Sequence, residues 1–446
     1  MSLKKNPDAE FCEEVHRNTM NKGGGDLCSA MRRKKLKFFV FVGVCIAVSN
    51  SPLFGLIQVP GASGATNHGF NLYWNVPTFM CHKYGMFFED VNTFGIRQNS
   101  KDEFRGNEIA ILYDPGVFPA LLKDEHGRTV RRNGGVPQEG NLTYHLEVFR
   151  AHVNEQISDV NFAGVAVIDF ESWRPIFRQN WAALAPYRDL STEIERDRHP
   201  FWDKNKVAHE ATRRFEKAAR LFMEDTLKLA RILRPKASWG YYAYPYCFNS
   251  TPNVPTAQCD PKVYAENDRL SWMFNLQGML LPSVYIRSSL NKRERMELIS
   301  CRVKEAMRIS SKLKQALPKT VLPYFWYKYQ DKTDDFLTSE DLSNGFRLIK
   351  SIGGDGIVIW GSSNDFNTKQ KCQEFRDYLS ETLGPTAWKL LVGRSRNVSE
   401  TEELHDAYYE TLRVTTMPNV YGGKEEGRPK STNVAGDDPD VSIERD

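Results

Sequence analysis

The chain has 446 residues, 41% hydrophobic and 12% aromatic, enough for one large domain of about 300 residues or two ordinary ones. Its net charge of +4 divides into +4 over residues 1–37, +3 over 38–422 and −3 over 423–446, so no concentrated basic face points to nucleic acid. None of its 8 cysteines forms a Cys-x-x-Cys and no His-Glu-x-x-His is present, so no metal site is expected.

Residues 1–30 form a polar extension containing Gly23-Gly24-Gly25, and Met31 offers an alternative start. Residues 31–65 read as a secretory signal with a short pro-segment: Arg32, Arg33, Lys34, Lys35 and Lys37 precede the apolar run Phe38–Val48. Small-residue cleavage sites follow at Ala47-Val48-Ser49 or Ser63-Gly64-Ala65. That run is too short to span a bilayer, so an extracellular protein without a stable membrane span is expected. The sequons at Asn141, Asn249 and Asn397 fit secretion as glycosylation sites.

A single domain is predicted over residues 66–398. Seven strand-like runs, Phe70–Thr78, Glu108–Pro115, Gly164–Glu171, Ser238–Pro245, Met279–Ile286, Thr320–Tyr329 and Gly356–Ser362, alternate with helical patterns. Phe215, Ala219, Phe222, Met223 and Leu229 share one helical face, as do Val303, Ala306, Met307 and Leu313, and Leu342, Phe346 and Ile349. This rhythm predicts a parallel α/β fold, either a closed barrel or a doubly wound sheet. No glycine-rich phosphate loop follows the first strand. Ser399 with Glu402 forms a capping-box pattern for a helix over 399–421, and residues 422–446 read as a disordered tail.

The segment Gly164–Pro175 carries the most chemistry. An apolar strand ends in Asp169 and Glu171, which alternation places on one side. Two neighbouring acids repel when both are ionised, so one holds a proton and can serve as a general acid beside a charged helper. The same pattern also suits a strand whose polar end caps the next helix. Other strand ends are polar and aromatic too: Tyr113-Asp114, Tyr241-Tyr242, Tyr285, Tyr327 to Gln330, and Trp360 to Ser363. Converging at a barrel mouth, such residues would stack on sugar faces and bind sugar oxygens. Among the cysteines, Cys12, Cys28 and Cys45 fall in the extension and Cys301 sits in a helical pattern as a buried thiol. Cys81, Cys247, Cys259 and Cys372 remain as an even set.

On these residues the chain resembles the animal hyaluronidases of glycoside hydrolase family 56, above all those of hymenopteran venoms. The resemblance covers about residues 70 to 390. It rests on Phe70–Thr78, Tyr113-Asp114-Pro115-Gly116, Asn133–Gln138, the 164–175 run, Trp239–Pro245, Leu281–Tyr285, Tyr327–Gln330 and Ile359–Ser363. It implies a distorted (β/α)7 TIM-like barrel and retaining endo-hydrolysis of hyaluronan, and more slowly chondroitin, at the N-acetylglucosamine β-1,4 linkage to glucuronate. No cofactor or metal is implied, and a monomer is expected. Glu171 aligns with the proton donor and Asp169 with the residue that orients and charges the substrate acetamide, whose oxygen is the nucleophile. Tyr242 and Tyr285 match cleft tyrosines, Tyr242 as the partner of the acetamide, and Trp360 matches the wall of the acetamide pocket. Tyr113, Arg174, Gln330, Ser362 and Ser363 match other cleft positions, with a structural ion pair as the alternative for Arg174. The family pairs Cys81 with Cys372 and Cys247 with Cys259. The chain departs from the family in its N-terminal extension, its long tail, and Asn364, which stands where an acid often lies beside the serine pair. A second class of function is a catalytically inactive homologue that only binds glycosaminoglycan. Such proteins lose an acid or a shaping aromatic, and Asp169, Glu171, Tyr242, Tyr285 and Trp360 are all present here.

Overall fold

A computed structural model describes residues 69–251, 254–255, 258–313 and 319–392. The N-terminal extension, the signal segment, Asn397, the helix expected at 399–421 and the tail lie outside the described residues. The seven predicted runs each contribute to a ring of parallel strands. They are β1 (Asn71–Asn75), β2 (Ile109–Tyr113), β3 (Val165–Asp169), β4 (Ser238–Tyr241), β5 (Met279–Leu280), β6 (Tyr324–Trp326) and β7 (Gly356–Trp360). Prolines shorten several of them, because a proline cannot donate to the ladder: Pro77 follows β1, Pro282 follows β5, and Pro323 separates Thr320–Val321 from β6.

Parallel ladders join β2 to β3 (Ile109↔Val165 to Tyr113↔Asp169) and β3 to β4 (Val165↔Ser238 to Ile168↔Tyr241). Bridges at Tyr242↔Leu281 and Ser283↔Tyr324 carry the ring on to β6. Ladders β6–β7 and β7–β1 follow, with Trp326↔Trp360 and Trp360↔Asn75 side by side at their C-terminal ends. The doubly wound alternative is thereby excluded: the order returns on itself, as in a TIM-like barrel. The distortion lies between β1 and β2, where no ladder connects them among the described residues. There the buried Asn99 side chain does a strand's work. Its oxygen accepts from the N–H groups of Glu108 (2.8 Å) and Ile109 (3.0 Å), and its Nδ2 donates to the Ile109 carbonyl (2.9 Å). Arg105 Nε donates to the Ile111 carbonyl (2.6 Å). An otherwise bare strand edge is thus covered by side chains.

Alternation sorts the strands between two apolar bodies. Ile109, Ile111, Val165 and Val167 join the core that contains β1, β6 and β7. Ala110, Leu112, Ala166 and Ile168 join the core under the helices α1 (Leu142–Gln156) and α3 (Lys204–Leu233). By the same parity Tyr113 and Asp169 belong to the first face. The α3 stripe buries Phe215, Ala219, Phe222, Met223 and Leu229, as the sequence pattern predicts, and extends to Val207 and Ala211. Further helices are α2 (Ala185–Arg198), α4 (Pro261–Arg269), α5 (Ser271–Leu276), α6 (Lys292–Lys312), α7 (Ser339–Ile352), α8 (Lys369–Tyr378) and α9 (Gly384–Val392). No helix among the described residues is long and apolar enough to cross a membrane.

Two disulfides have the pairing that the resemblance implies. Cys81–Cys372 ties the turn after β1 to α8, across 291 residues of sequence. Closing a loop of that length stabilises by about 5–6 kcal/mol in the chain-entropy account. Cys247–Cys259 closes a short loop after β4. Cys301 is a buried free thiol, with its sulfur 3.2 Å from that of Cys247 and 3.5 Å from that of Cys259.

Candidate active site

The acid pair sits where β3 ends. Asp169 is the last strand residue and is half-buried, whereas Glu171 is exposed. The backbone at this point is pinned on both flanks: Asp114 N–H donates to the Asp169 carbonyl (2.7 Å) and Tyr242 N–H to that of Ile168 (3.0 Å). Glu171 is held open between two buried anchors. Phe170 stacks on Phe118 at 4.0 Å, and Trp173 donates its indole N–H to the Pro119 carbonyl (2.7 Å). Burying both neighbours fixes the loop while Glu171 itself stays exposed to solvent.

Asp114 is itself clamped. It has a left-handed backbone (φ 42°), and its carboxylate receives both Nη groups of Arg132, at 2.5 and 3.0 Å. A bidentate guanidinium fork of this kind fixes orientation as well as charge. Arg132 lies on the hairpin Ala120–Lys123/Thr129–Arg132, which the sequence reading does not anticipate. The available signal was the Asp124–Gly127 turn between Ala120–Lys123 and Thr129–Arg132.

The opposite side of the mouth is aromatic. Trp360, at the end of β7, donates its indole N–H to the Tyr113 hydroxyl (3.2 Å) and stacks on Tyr285 at 5.7 Å. Tyr285 lies 6.4 Å from Tyr242, ring to ring, and Tyr242 packs edge-on against Tyr324 at 5.0 Å. Tyr324 donates to Asn75 Oδ1 (3.1 Å). Tyr242, Tyr285, Trp360 and Tyr113 therefore form one contiguous set, as expected from their strand-end positions. Tyr324 and Trp326 belong to it too, although sequence reasoning passes over them as strand interior.

The electrostatics couple the two sides. Burial first, then the charge of Glu171 and to a lesser extent that of Asp169, holds the Tyr242 hydroxyl well above its ordinary pKa. Burial, Tyr242 and Asp169 do the same for Tyr285. Both phenols therefore stay protonated hydrogen-bond donors through the neutral range, and Tyr242 hydrogen-bonds with Tyr285 and Ser283.

Arg174 does not line the mouth as an open cation. It is buried, with its guanidinium 4.6 Å from the Tyr246 ring, 4.7 Å from Phe248 and 5.6 Å from Trp181, and its Nη1 donates to the Gln179 carbonyl. Cation–π contact with these three rings forms part of the cage around Arg174. Its charge still reaches the site through Tyr246, whose hydroxyl is pushed up to about 12 by burial against the opposing pull of Arg174. Gln330 lies in the turn between the paired strands Lys328–Tyr329 and Lys332–Phe336, its N–H donating to the Ile286 carbonyl (2.9 Å). Ser362 and Ser363 follow Trp360, half-buried, and Ser362 Oγ accepts from Asn364 N–H (3.2 Å). Asn364 is exposed, and its neighbour Asp365 does not replace the missing acid. It is buried and accepts from Tyr327 (2.8 Å) and Lys328 (2.8 Å).

One expected modification is corrected. Asn249 is not open to a glycan: it is buried, its Nδ2 donates to the Leu298 carbonyl and its Oδ1 accepts from Arg302. Asn141 is exposed, at the N-terminal cap of α1.

A parallel barrel whose mouth sets two acids on one strand end against a wall of stacked aromatics is built as a carbohydrate-cleaving enzyme. The hyaluronidase family profile matches residues 61–394, and the chain belongs to that family, glycoside hydrolase family 56. It is 56% identical over 361 residues to a hyaluronidase of Apis mellifera, covering 80% of this chain and 94% of that one. It is 45% identical over 322 residues to an inactive hyaluronidase B of Vespula vulgaris, covering 72% and 94%. The crystal structure of bee venom hyaluronidase in complex with hyaluronic acid tetramer matches with a TM-score of 0.71 and 60% identity, over 72% of this chain and 99% of that one.

Proposed function

We propose that this protein is a secreted endo-β-N-acetylhexosaminidase that cleaves hyaluronan, and more slowly chondroitin, as a monomer. The observation that carries it is the exposed Glu171 beside Asp169, opposite the Tyr242–Tyr285–Trp360 wall. An N-acetylglucosamine seated against Trp360 presents its acetamide to Asp169 and Tyr242. Glu171 gives its proton to the glycosidic oxygen as that bond breaks. The acetamide oxygen closes on the anomeric carbon, and Asp169 stabilises the positive charge that develops on the acetamide nitrogen. Glu171, now a carboxylate, takes a proton from the water that opens this intermediate from the same face, so configuration is retained. Since the substrate supplies the nucleophile, the usual carboxylate spacing of two-acid glycosidases does not apply. The cysteine pairs suit an oxidising, extracellular setting.

An inactive relative at 45% identity makes a binding-only protein the second reading. Both acids and the whole aromatic wall favour the enzyme. Replacing Glu171 with Gln keeps the shape and removes the proton. Turnover of hyaluronan in a turbidity assay should fall at least about 100-fold, with folding and polymer binding kept. A variant retaining a tenth of the activity would remove Glu171 from the donor role, and a wild type without activity would leave the binding reading.

A further inference from the structure

Trp326 ends β6, paired across the ladder with Trp360. Its ring packs edge-on against Trp360 (5.3 Å, 72°) and tilted against Tyr285 (5.9 Å, 60°). It therefore touches both members of the stacked pair that walls the site. Unlike Trp360, whose indole N–H bonds to Tyr113, Trp326 is 8% exposed and its Nε1 is a buried donor without a hydrogen-bond partner among the described residues.

An unpaired buried N–H costs about 1–3 kcal/mol, and native structures seldom tolerate one without a reason. A phenylalanine would fill most of the same apolar space without that cost. The indole is also in an unusual place for an idle donor, since every ring it touches belongs to the mouth. We propose that Trp326 is a further substrate-binding residue. When a sugar settles against Trp360, the Trp326 N–H donates to one of its oxygens, a ring hydroxyl or the acetamide carbonyl. A small shift of the Trp360–Tyr285 pair on ligand entry would expose the N–H to that oxygen. The donor's unmet hydrogen bond in the free protein then becomes binding strength in the complex. This inference rests on the carbohydrate-cleaving reading of the site and adds a residue to it.

The test is Trp326→Phe, which keeps an aromatic ring against Trp360 and Tyr285 and deletes only the N–H. A residue with a merely structural role and a redundant donor would give a protein as stable as wild type or more so, with unchanged kinetics. The proposal expects the same or higher Tm together with an about tenfold lower kcat/KM on hyaluronan, the loss typical of one neutral hydrogen bond. In a Glu171→Gln background, the affinity for a hyaluronan tetrasaccharide should fall by a similar factor when Trp326→Phe is added. That binding measurement also covers the case in which Trp326→Phe lowers Tm, because it reads only the folded fraction. Kinetics and tetrasaccharide affinity within twofold of the parent proteins would overturn the assignment. A wild type that binds the tetrasaccharide but does not cleave polymer would instead overturn the enzymatic reading and leave this one standing on affinity.

Discussion

The two sides of the barrel mouth are built on different physics. On the β2–β3 side, charge is set by the backbone: Asp169 and Glu171 follow from strand register, from carbonyls pinned by Asp114 and Tyr242, and from the Phe170 and Trp173 anchors. On the side that runs from the end of β4 round to β7, the rings of Tyr242, Tyr285, Trp326 and Trp360 are set mainly by one another. A backbone-set group keeps its place when its own side chain changes, so substitutions there report on chemistry. A mutually packed ring is different, because removing one loosens its neighbours. Substitutions on that side report on binding first.

The largest separation should come from Asp169→Asn. With its position fixed by the ladder, the change removes charge and little else. We expect kcat to fall about 100-fold or more with KM near wild type, the pattern of lost transition-state stabilisation. A variant whose KM rises instead, with kcat preserved, would make Asp169 a binding residue and dissolve the contrast. Trp360→Ala should do the reverse. It deletes the stack with Tyr285 and the donor to Tyr113. KM should rise about tenfold, equivalent to ~1.4 kcal/mol, with a smaller change in kcat. Equal losses in both parameters would place Trp360 in the chemical step.

The smallest effect is a pH dependence confined to the acid side. The loop after β2 is held by histidines: Gly116 N–H donates to His152 Nδ1 (3.0 Å) and Val117 N–H to His145 Nδ1 (3.0 Å). His145 also meets Thr226 Oγ1 through Nε2 (2.8 Å), so its neutral form is fully paired. Burial, aided by the charge of Arg132, pushes its pKa down to about 3 from the usual 6.5. A depressed histidine contributes its stability in full above the unfolded value and loses it as pH falls from 6.5 toward 3. The slope for one such group approaches ~1.4 kcal/mol per pH unit. His145→Asn keeps an acceptor for Val117 and removes the titration. Thermal melts between pH 7.5 and 4.5 should show a lower Tm at neutral pH and a shallower decline below 6.5. An unchanged slope would mean that other groups govern acid unfolding.

The same contrast explains what could be read from the chain. Strand identity was legible because β2, β3 and β7 are runs of mostly apolar residues, many β-branched, bounded by turn signals. Asp169 and Glu171 were legible as a same-side pair from strand alternation, but a helix-capping strand end shares that pattern, and only the family resemblance singled them out as catalytic. The aromatic wall was legible only as a trend at strand ends. Tyr324 and Trp326 look like core on any one-dimensional pattern, since what makes them part of the site is pairing across the ladder with Val358 and Trp360. Arg174 was placed in the cleft by its motif, but its burial depends on Tyr246 and Phe248, some 70 residues on. The Arg132 clamp and the Asn99 edge cover were missed for the same reason, since each acts through a contact whose partner is not marked by periodicity. Asn249 shows the limit of a short motif, as a sequon says nothing about whether its amide faces water.

The Cys81–Cys372 bridge makes the described barrel nearly a closed circle of chain. A protease that cuts once anywhere between those two residues opens the circle without releasing a piece. The loop between Cys247 and Cys259 falls inside it and is enclosed a second time by its own bridge. A singly nicked molecule would run as one species until reduced and as two afterwards. Digestion that leaves activity intact while producing fragments only under reducing conditions is therefore the behaviour this topology gives.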